Sequence, residues 1–329
     1  MTGPEILPDG LTCWVMSDGG AGMENQCLGL AETLGLAHQV KRIKIRQPWL
    51  SLPPDFWIRP LKALSPASDT IEPPWPDVLI SSGRKTVAIA AAIKQASGGR
   101  TFAIQIQDPV GLRNHFDVIV TPRHDHLTGG NVISTYGSLT RVRHEKIAVE
   151  AERFRDSVAH LPRPLVAVMV GGSNKVFDLN EDQARKLLEG LGRMCAEDQT
   201  GLLVTPSRRT ARPVRDLMRE GVSTLPALWW DGDGDNPYLG WLGLADAFVV
   251  TADSVNMVSE TLNTGKPVMV FDLPGRKRKF AEFHGALRDA GITRTFDGRL
   301  KQWTYPTFDD TADVARDVAG RIAAWAAGR

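Results

Sequence analysis

Short unbroken apolar runs recur along the chain, each closed by a turn rich in glycine or proline. "LTCWVMSDGG" (11–20), "PDVLISSG" (76–83), "TFAIQIQDP" (101–109) and "FDVIVTP" (116–122) predict strands. Between them, "NQCLGLAETLGL" (25–36) places Leu28, Ala31 and Leu34 on one face, with Gly35 near the C-cap, and predicts a helix. "RKTVAIAAAIKQASGG" (84–99) predicts another. The charged, proline-bracketed "AERFRDSVAHLPRP" (151–164) predicts a linker.

The pattern then restarts. "LVAVMVGGS" (165–173), "TGLLVTPS" (200–207), "AFVVTAD" (247–253) and "PVMVF" (267–271) predict strands. "NEDQARKLLEGLGRM" (180–194) predicts a helix capped by Asn180, and "TADVARDVAGRIAAWAAG" (311–328) predicts a closing amphipathic helix. Strands that are apolar throughout belong to parallel sheets covered on both faces. Two such series predict an α/β fold of two Rossmann-like doubly wound domains, 1–158 and 159–329, with a ligand cleft between them and the last helix packing back on the first domain.

Bulk composition narrows the classes. A chain of 329 residues exceeds one typical core. The net charge of +1 gives no global pull toward nucleic acid, and no such partner is expected. Cys13, Cys27 and Cys195 lack paired spacing, which argues against a disulfide framework or a zinc site and fits a reducing cytoplasm. "MTGPEILPDG" has no basic region followed by an apolar run, so no signal peptide is expected, and no apolar run is long enough to span a bilayer.

In doubly wound sheets, ligands sit beyond the carboxyl ends of the strands, and the polar candidates cluster there. In "VAVMVGGSNKVF" (166–177), Gly171 and Gly172 would let backbone amides approach a ligand, and Ser173 and Asn174 can bond an anion. A tight strand-exit turn would read the same. In "VVTADSVNMVSETLNTGKPVMVF" (249–271), Thr251, Asp253 and Ser254 precede a helix of roughly 255–263, ended by Gly265, with Met257 in its first turn. Val255, Val258 and Leu262 make its apolar face and Glu260 lies opposite. A capped helix start suits a phosphate, and a carboxylate suits two vicinal ribose hydroxyls. A solvated capped helix is the plain alternative. Ser207, Arg208 and Arg209 follow another strand and suit phosphate or carboxylate, although exposed arginine pairs are common.

"WWDGDGDNPYLG" (229–240) spaces Asp231, Asp233 and Asp235 like a calcium loop. It has Asn236 and Leu242 where such a loop needs Gly and Glu, so a ligand-lining loop using Asn236 and Tyr238 is the better reading. "SDGGAGMENQ" (17–26) concentrates Asp18, Glu24, Asn25 and Gln26 beside three glycines; a carboxylate there can act as general base, or these residues only cap and turn. Arg84, Asp108, His124 and Asp125 fall on the same predicted edge. A metal site at His115, His124 and His126 lacks a familiar second ligand pair, and none is expected. P-loop, G-x-G-x-x-G and Tyr-x-x-x-Lys motifs are absent, which disfavours a short-chain dehydrogenase or sugar epimerase. Finally, "KRIKIRQPWLSLPPDFWIRPLKAL" (41–64) interleaves Lys41, Arg42, Lys44, Arg46, Arg59 and Lys62 with Trp49, Phe56 and Trp57. This suits an anionic lipid interface or is an ordinary excursion between elements.

"MSDGGAGMENQCLGLAETLG", "GGRTFAIQIQDP", "FDVIVTPRHDH", "VAVMVGGSN", "TPSRRT", "GDNPYLGWLGLADAFVVTADSVNMVSETLNTGKPV" and "KFAEFHGAL" together resemble, in order and over nearly the whole chain, the bacterial mitochondrial-fission-protein-like family, named after a plant fission factor. More distantly, the layout is similar to GT-B glycosyltransferases, especially lipid-linked N-acetylglucosaminyltransferases and Kdo transferases. That likeness implies a nucleotide-sugar donor held by the second domain. Gly171, Gly172 and Ser173 match its opening "GGS" turn, and Asp253, Ser254 and Glu260 match its phosphate- and ribose-contacting segment. It implies an acceptor base on the first loop, Glu24 ahead of Asp18, although that loop lacks the histidine-containing glycine pattern of the lipid-linked enzymes. The expected activity is inverting, metal-independent hexosyl or related transfer to a lipid-linked or cell-envelope acceptor, without a cofactor. The expected location is the cytoplasm, peripheral to the inner membrane. The alternative is a non-catalytic GT-B-fold adaptor.

Overall fold

The computed structural model describes residues 7–230, 232–275 and 278–329. In chain order the strands and helices begin with β1 (Cys13–Ser17), α1 (Ala21–Thr33), β2 (His38–Arg42), β3 (Val78–Ser82), α2 (Arg84–Ala96), β4 (Phe102–Ile106), β5 (Val118–Pro122), β6 (Val132–Thr135) and α3 (His144–Phe154). They continue with β7 (Leu165–Val170), α4 (Glu181–Asp198), β8 (Gly201–Pro206), α5 (Arg212–Val222), β9 (Ala227–Trp229), α6 (Tyr238–Leu244) and β10 (Ala247–Thr251). The chain closes with α7 (Val255–Leu262), β11 (Val268–Phe271), α8 (Arg278–Asp289), β12 (Thr293–Thr295) and α9 (Asp310–Ala327).

These elements form two compact units, Met1–Arg141 with Asp309–Arg329, and Val142–Phe308. The break lies before α3, not at 158. The stretch that suggested a linker begins inside α3, which runs on to Phe154 and whose Ile147 and Ala151 pack against Gly243 of α6 so closely that a Cβ there would meet them at 2.8 and 2.7 Å.

The first unit holds a six-stranded parallel sheet in the order β2-β1-β3-β4-β5-β6. Alternate residues face opposite ways. Val15, Ile80, Ile104 and Val118 pack with Leu30 of α1 and Val318 and Ile322 of α9. Met16, Leu79, Ala103 and Ile119 pack with Val87 and Ile93 of α2 and with Ile43 and Trp57. Both faces are covered, which is why these strands read as unbroken apolar runs.

The second unit holds another six-stranded parallel sheet, in the order β12-β11-β10-β7-β8-β9. β7 leads to β8 on one side, while β10, β11 and β12 extend on the other. The winding reverses between β7 and β10, and in doubly wound sheets that reversal, beyond the carboxyl ends of the strands, is where ligands bind. No helix among the described residues is long and apolar enough to cross a membrane.

Candidate functional site

At the reversal point of the second unit, the loops after β7 and β10 are tied together by side chains. Thr251 Oγ1 accepts the Gly171 amide at 2.8 Å and donates to Asp253 Oδ1 at 2.7 Å. Asp253 Oδ2 accepts the Gly172 amide and Arg209 Nη2, each at 2.9 Å. Thr210 adds a hydroxyl bond to the Gly171 carbonyl. The Asp253 carboxylate is wholly buried, whereas the Arg209 side chain is 45% exposed. A desolvated carboxylate thus fixes a guanidinium whose outer edge remains open to a solvent-borne anion.

This corrects the expected role of the glycines. A Cβ on Gly171 would lie 2.1 Å from Asp253 Oδ1, and one on Gly172 would lie 2.2 Å from the Arg209 carbonyl oxygen. Both positions exclude a side chain to admit their own neighbours, and both amides are already bonded within the protein. Ser173 and Asn174 are likewise turned to the loop. Ser173 Oγ accepts the Leu179 amide at 3.0 Å and donates to Asp178 at 3.1 Å. Asn174 Oδ1 accepts the amides of Val176 and Phe177, and its Nδ2 reaches the Asp253 carbonyl at 3.4 Å. Ser207 Oγ accepts the Arg209 amide at 3.1 Å, and Arg208 is exposed.

Ser254 caps α7, its Oγ accepting the Met257 amide at 3.4 Å. Three residues past Met257, Glu260 accepts a hydrogen bond from the Tyr238 hydroxyl at the start of α6. Asn236 begins that helix by accepting the Tyr238 amide at 3.0 Å. Burial pushes Glu260 up to about 7, partly opposed by the Tyr238 bond. Burial and the Glu260 charge push Tyr238 well above its ordinary value. The face of α7 opposite its apolar stripe is therefore an occupied polar contact, not a solvated surface. Asp231 lies outside the described residues, and Asp233 and Asp235 are exposed. Among the described residues, no three His, Cys, Asp or Glu side chains group to hold a metal ion.

One participant escaped sequence reasoning. His284 of α8 is buried, and its Nε2 meets the Ala252 carbonyl at 2.8 Å, between Thr251 and Asp253. Burial holds its pKa below the ordinary value. The only signal was its place in "KFAEFHGAL", where a core histidine is the ordinary reading.

In the first unit, the expected polar residues share the carboxyl edge of the sheet, and most are already engaged. Glu24 lies in the first turn of α1, clamped at 2.8 Å by both Arg42 Nε and Nη2 and bonded by Ser17 Oγ at 2.9 Å. The Arg42 bonds hold its carboxyl below the usual range, against opposing burial. Asp18 accepts Lys85 Nζ at 2.9 Å and the Gly20 amide at 3.0 Å. Burial raises Asp18, but those bonds together bring it below the ordinary value. Neither carboxylate is tuned upward as a base working near neutrality prefers. Asp108 is paired with Arg113, Arg84 donates to the Leu52 carbonyl, and Gln26 is buried. Asn25 is exposed, and His124 lies 3.8 Å from Asp125. Beside them, Ser82 and Gln107 both direct donors at Met23 Sδ, at 3.3 and 3.2 Å, a contact no motif announced.

Two parallel doubly wound sheets in this order define a GT-B fold. The UDP-GlcNAc 2-epimerase of Methanocaldococcus jannaschii matches with a TM-score of 0.58 at 10% identity, over 94% of this chain and 99% of that one. A second structure of that enzyme, in complex with UDP-GlcNAc and UDP, matches at 0.53. A UDP-glucosyltransferase of Polygonum tinctorium matches at 0.50 with 12% identity, over 98% and 94% of the two chains. These likenesses show the fold alone. They also limit the epimerase argument: missing dehydrogenase motifs bear on enzymes of the short-chain dehydrogenase kind, whereas epimerases occur on this fold too. Residues 21–322 match the family model described as "Mitochondrial fission ELM1", and the chain belongs to that family. The mitochondrial fission protein ELM1 of Arabidopsis thaliana is 30% identical, covering 94% of this chain and 91% of its own.

Proposed function

We propose that this protein is a glycosyltransferase that binds a nucleotide-sugar donor in the second unit and transfers the sugar to a lipid-linked or cell-envelope acceptor, with inversion and without a metal. The observation that carries the reading is the buried Asp253 that fixes the half-exposed Arg209 at the reversal point of the sheet. Arg209, with Arg208 beside it, neutralises the departing diphosphate, and the capped start of α7 adds backbone amides and a positive dipole end. Gly171, Gly172, Thr251 and Asp253 shape this site from behind. Glu260 accepts the ribose hydroxyls once the Tyr238 hydroxyl gives way.

For the acceptor base, expected at Glu24 with Asp18 second, we take Asp18 as the better candidate because its carboxylate is less fully engaged. Each Asp18 oxygen accepts one hydrogen bond, whereas Glu24 is held by both arms of Arg42 and by Ser17. An Asp18→Asn protein with full transferase turnover would remove Asp18 from that role.

A second reading, a non-catalytic adaptor on the same fold, is favoured by one observation: both candidate bases are locked in ion pairs. An adaptor needs neither Asp18 nor Glu260.

The deciding experiment is calorimetric titration of the protein with UDP-, GDP-, ADP- and CMP-sugars, repeated on Arg209→Ala and Glu260→Ala. Micromolar binding of one nucleotide, weakened at least tenfold in both variants, supports the donor site. Chromatography of the recovered nucleotide sugar separates transfer from epimerisation. Folded protein that binds none of them refutes the reading and leaves the adaptor.

A further inference from the structure

Six large hydrophobic side chains are exposed among the described residues, and five belong to one region of the first unit: Leu50 (38%), Leu52 (40%), Phe56 (68%), Ile58 (80%) and Val110 (68%). The first four lie on a run of short 3-10 turns, Trp49–Ser51, Pro54–Phe56 and Pro60–Ala63. Val110 joins them because the turn it begins packs on the second of these; a Cβ on Gly111 would touch Asp55 at 2.8 Å.

The tryptophans expected as anchors are not exposed with them. Trp57 is buried, its Nε1 donating to the Leu52 carbonyl at 3.1 Å. Trp49 is half-buried, its Nε1 donating to the Ile58 carbonyl at 3.3 Å. Arg84 donates to the same Leu52 carbonyl at 2.9 Å. Indole and guanidinium donors thus hold the frame from within, satisfying backbone oxygens that an apolar environment would penalise, and the aliphatic and phenyl tips are turned out.

The charge around these tips is one-sided. Lys44, Arg46, Arg59 and Lys62 stand against the single acid Asp55 between positions 44 and 62. None of the four has a carboxylate within ion-pair distance among the described residues, whereas neighbouring Arg42 and Arg113 are paired with Glu24 and Asp108. Monomeric proteins seldom expose such an apolar group without a use for it. Apolar tips interspersed along the chain with cations that have no carboxylate partner among the described residues fit an anionic bilayer, where the tips enter the acyl boundary and the cations meet headgroup phosphates. Single-stranded nucleic acid would call for several exposed aromatic faces in series, whereas Phe56 is the one ring among these five tips, the other four are aliphatic, and the two indoles are turned inward.

We propose that Leu50, Leu52, Phe56, Ile58 and Val110, with Lys44, Arg46, Arg59 and Lys62, form a surface that docks the first unit on an anionic lipid bilayer. The inference does not depend on a sugar nucleotide, so it can stand or fall apart from the transferase reading.

The test is co-sedimentation of the full chain with phosphatidylcholine vesicles, with and without phosphatidylglycerol, at low and high salt. Binding is expected only to the vesicles with phosphatidylglycerol, and salt should weaken it. Phe56→Asp with Ile58→Asp should abolish it. Arg59→Ala with Lys62→Ala should weaken it by about fivefold per cation removed, with melting temperatures unchanged in both variants. Failure to bind anionic vesicles, equal binding to neutral ones, or full binding by the Phe56/Ile58 variant would overturn the proposal. So would gel filtration showing that this surface instead pairs two copies of the chain.

Discussion

Tyr238 donates its phenolic hydrogen to Glu260, and so the first residue of α6 is joined to the middle of α7. The carboxylate loses water in this position, and its pKa rises to about 7. A carboxyl whose folded pKa exceeds its unfolded value binds more protons when folded, so it stabilises the fold below the unfolded pKa. That contribution is lost as pH rises from about 4.5 through about 7. Thermal melting across this window should show wild-type stability falling relative to Glu260→Gln, which has no titrating group there. Parallel profiles for the two proteins would remove Glu260 as their source of difference.

Asp253 should be the most costly polar side chain to remove from the second unit. Asp253→Ala leaves the Gly172 amide and Thr251 hydroxyl without their acceptor and releases Arg209. The expected loss is about 2–4 kcal/mol, toward the lower end because water screens the exposed side of Arg209. Urea denaturation measures it, and a loss within error of zero would show that the loop reorganises without the carboxylate.

Gly171→Ala puts a methyl 2.1 Å from Asp253 Oδ1, with no flexible end of a long side chain to yield. We expect destabilisation of about 2–3 kcal/mol, together with loss of any ligand affinity that depends on Arg209. Gly285→Ala, where a Cβ meets nothing within 4 Å, is the control and should be neutral or slightly stabilising.

Lys266 has a structural task in "NTGKP". Its Nζ donates to the Gly243 and Ala245 carbonyls at 2.6 Å, closing the end of α6, and burial lowers its pKa. Lys266→Met should cost about 1–3 kcal/mol in chemical denaturation, without changing nucleotide affinity measured under folding conditions.

Local patterns were reliable where local forces decide. Asn180 caps α4 by accepting the Gln183 amide at 3.1 Å, and Ser254 caps α7; both follow from a short polar side chain placed just before an apolar-periodic run. α1 begins at Ala21, earlier than the apolar pattern suggested, because the polar first turn carrying Glu24 is helical as well. The short edge strands β2, β6, β9 and β12 had no distinct signal: each is paired on one side only, and β2, β9 and β12 are half exposed, so the unbroken apolar run that marks a central strand is absent.

The order of apolar runs and turns by itself determined two parallel, doubly wound sheets and placed the polar candidates at strand ends, because burial on both faces and helix capping act over a few neighbouring residues. Which of those candidates are spent inside the protein was decided by the tertiary structure. Gly171 with Asp253, Glu24 with Arg42 and Tyr238 with Glu260 are partners only because the chain returns to the same place. Hydrogen bonding and desolvation depend on distance in space, and separation along the sequence carries no record of it.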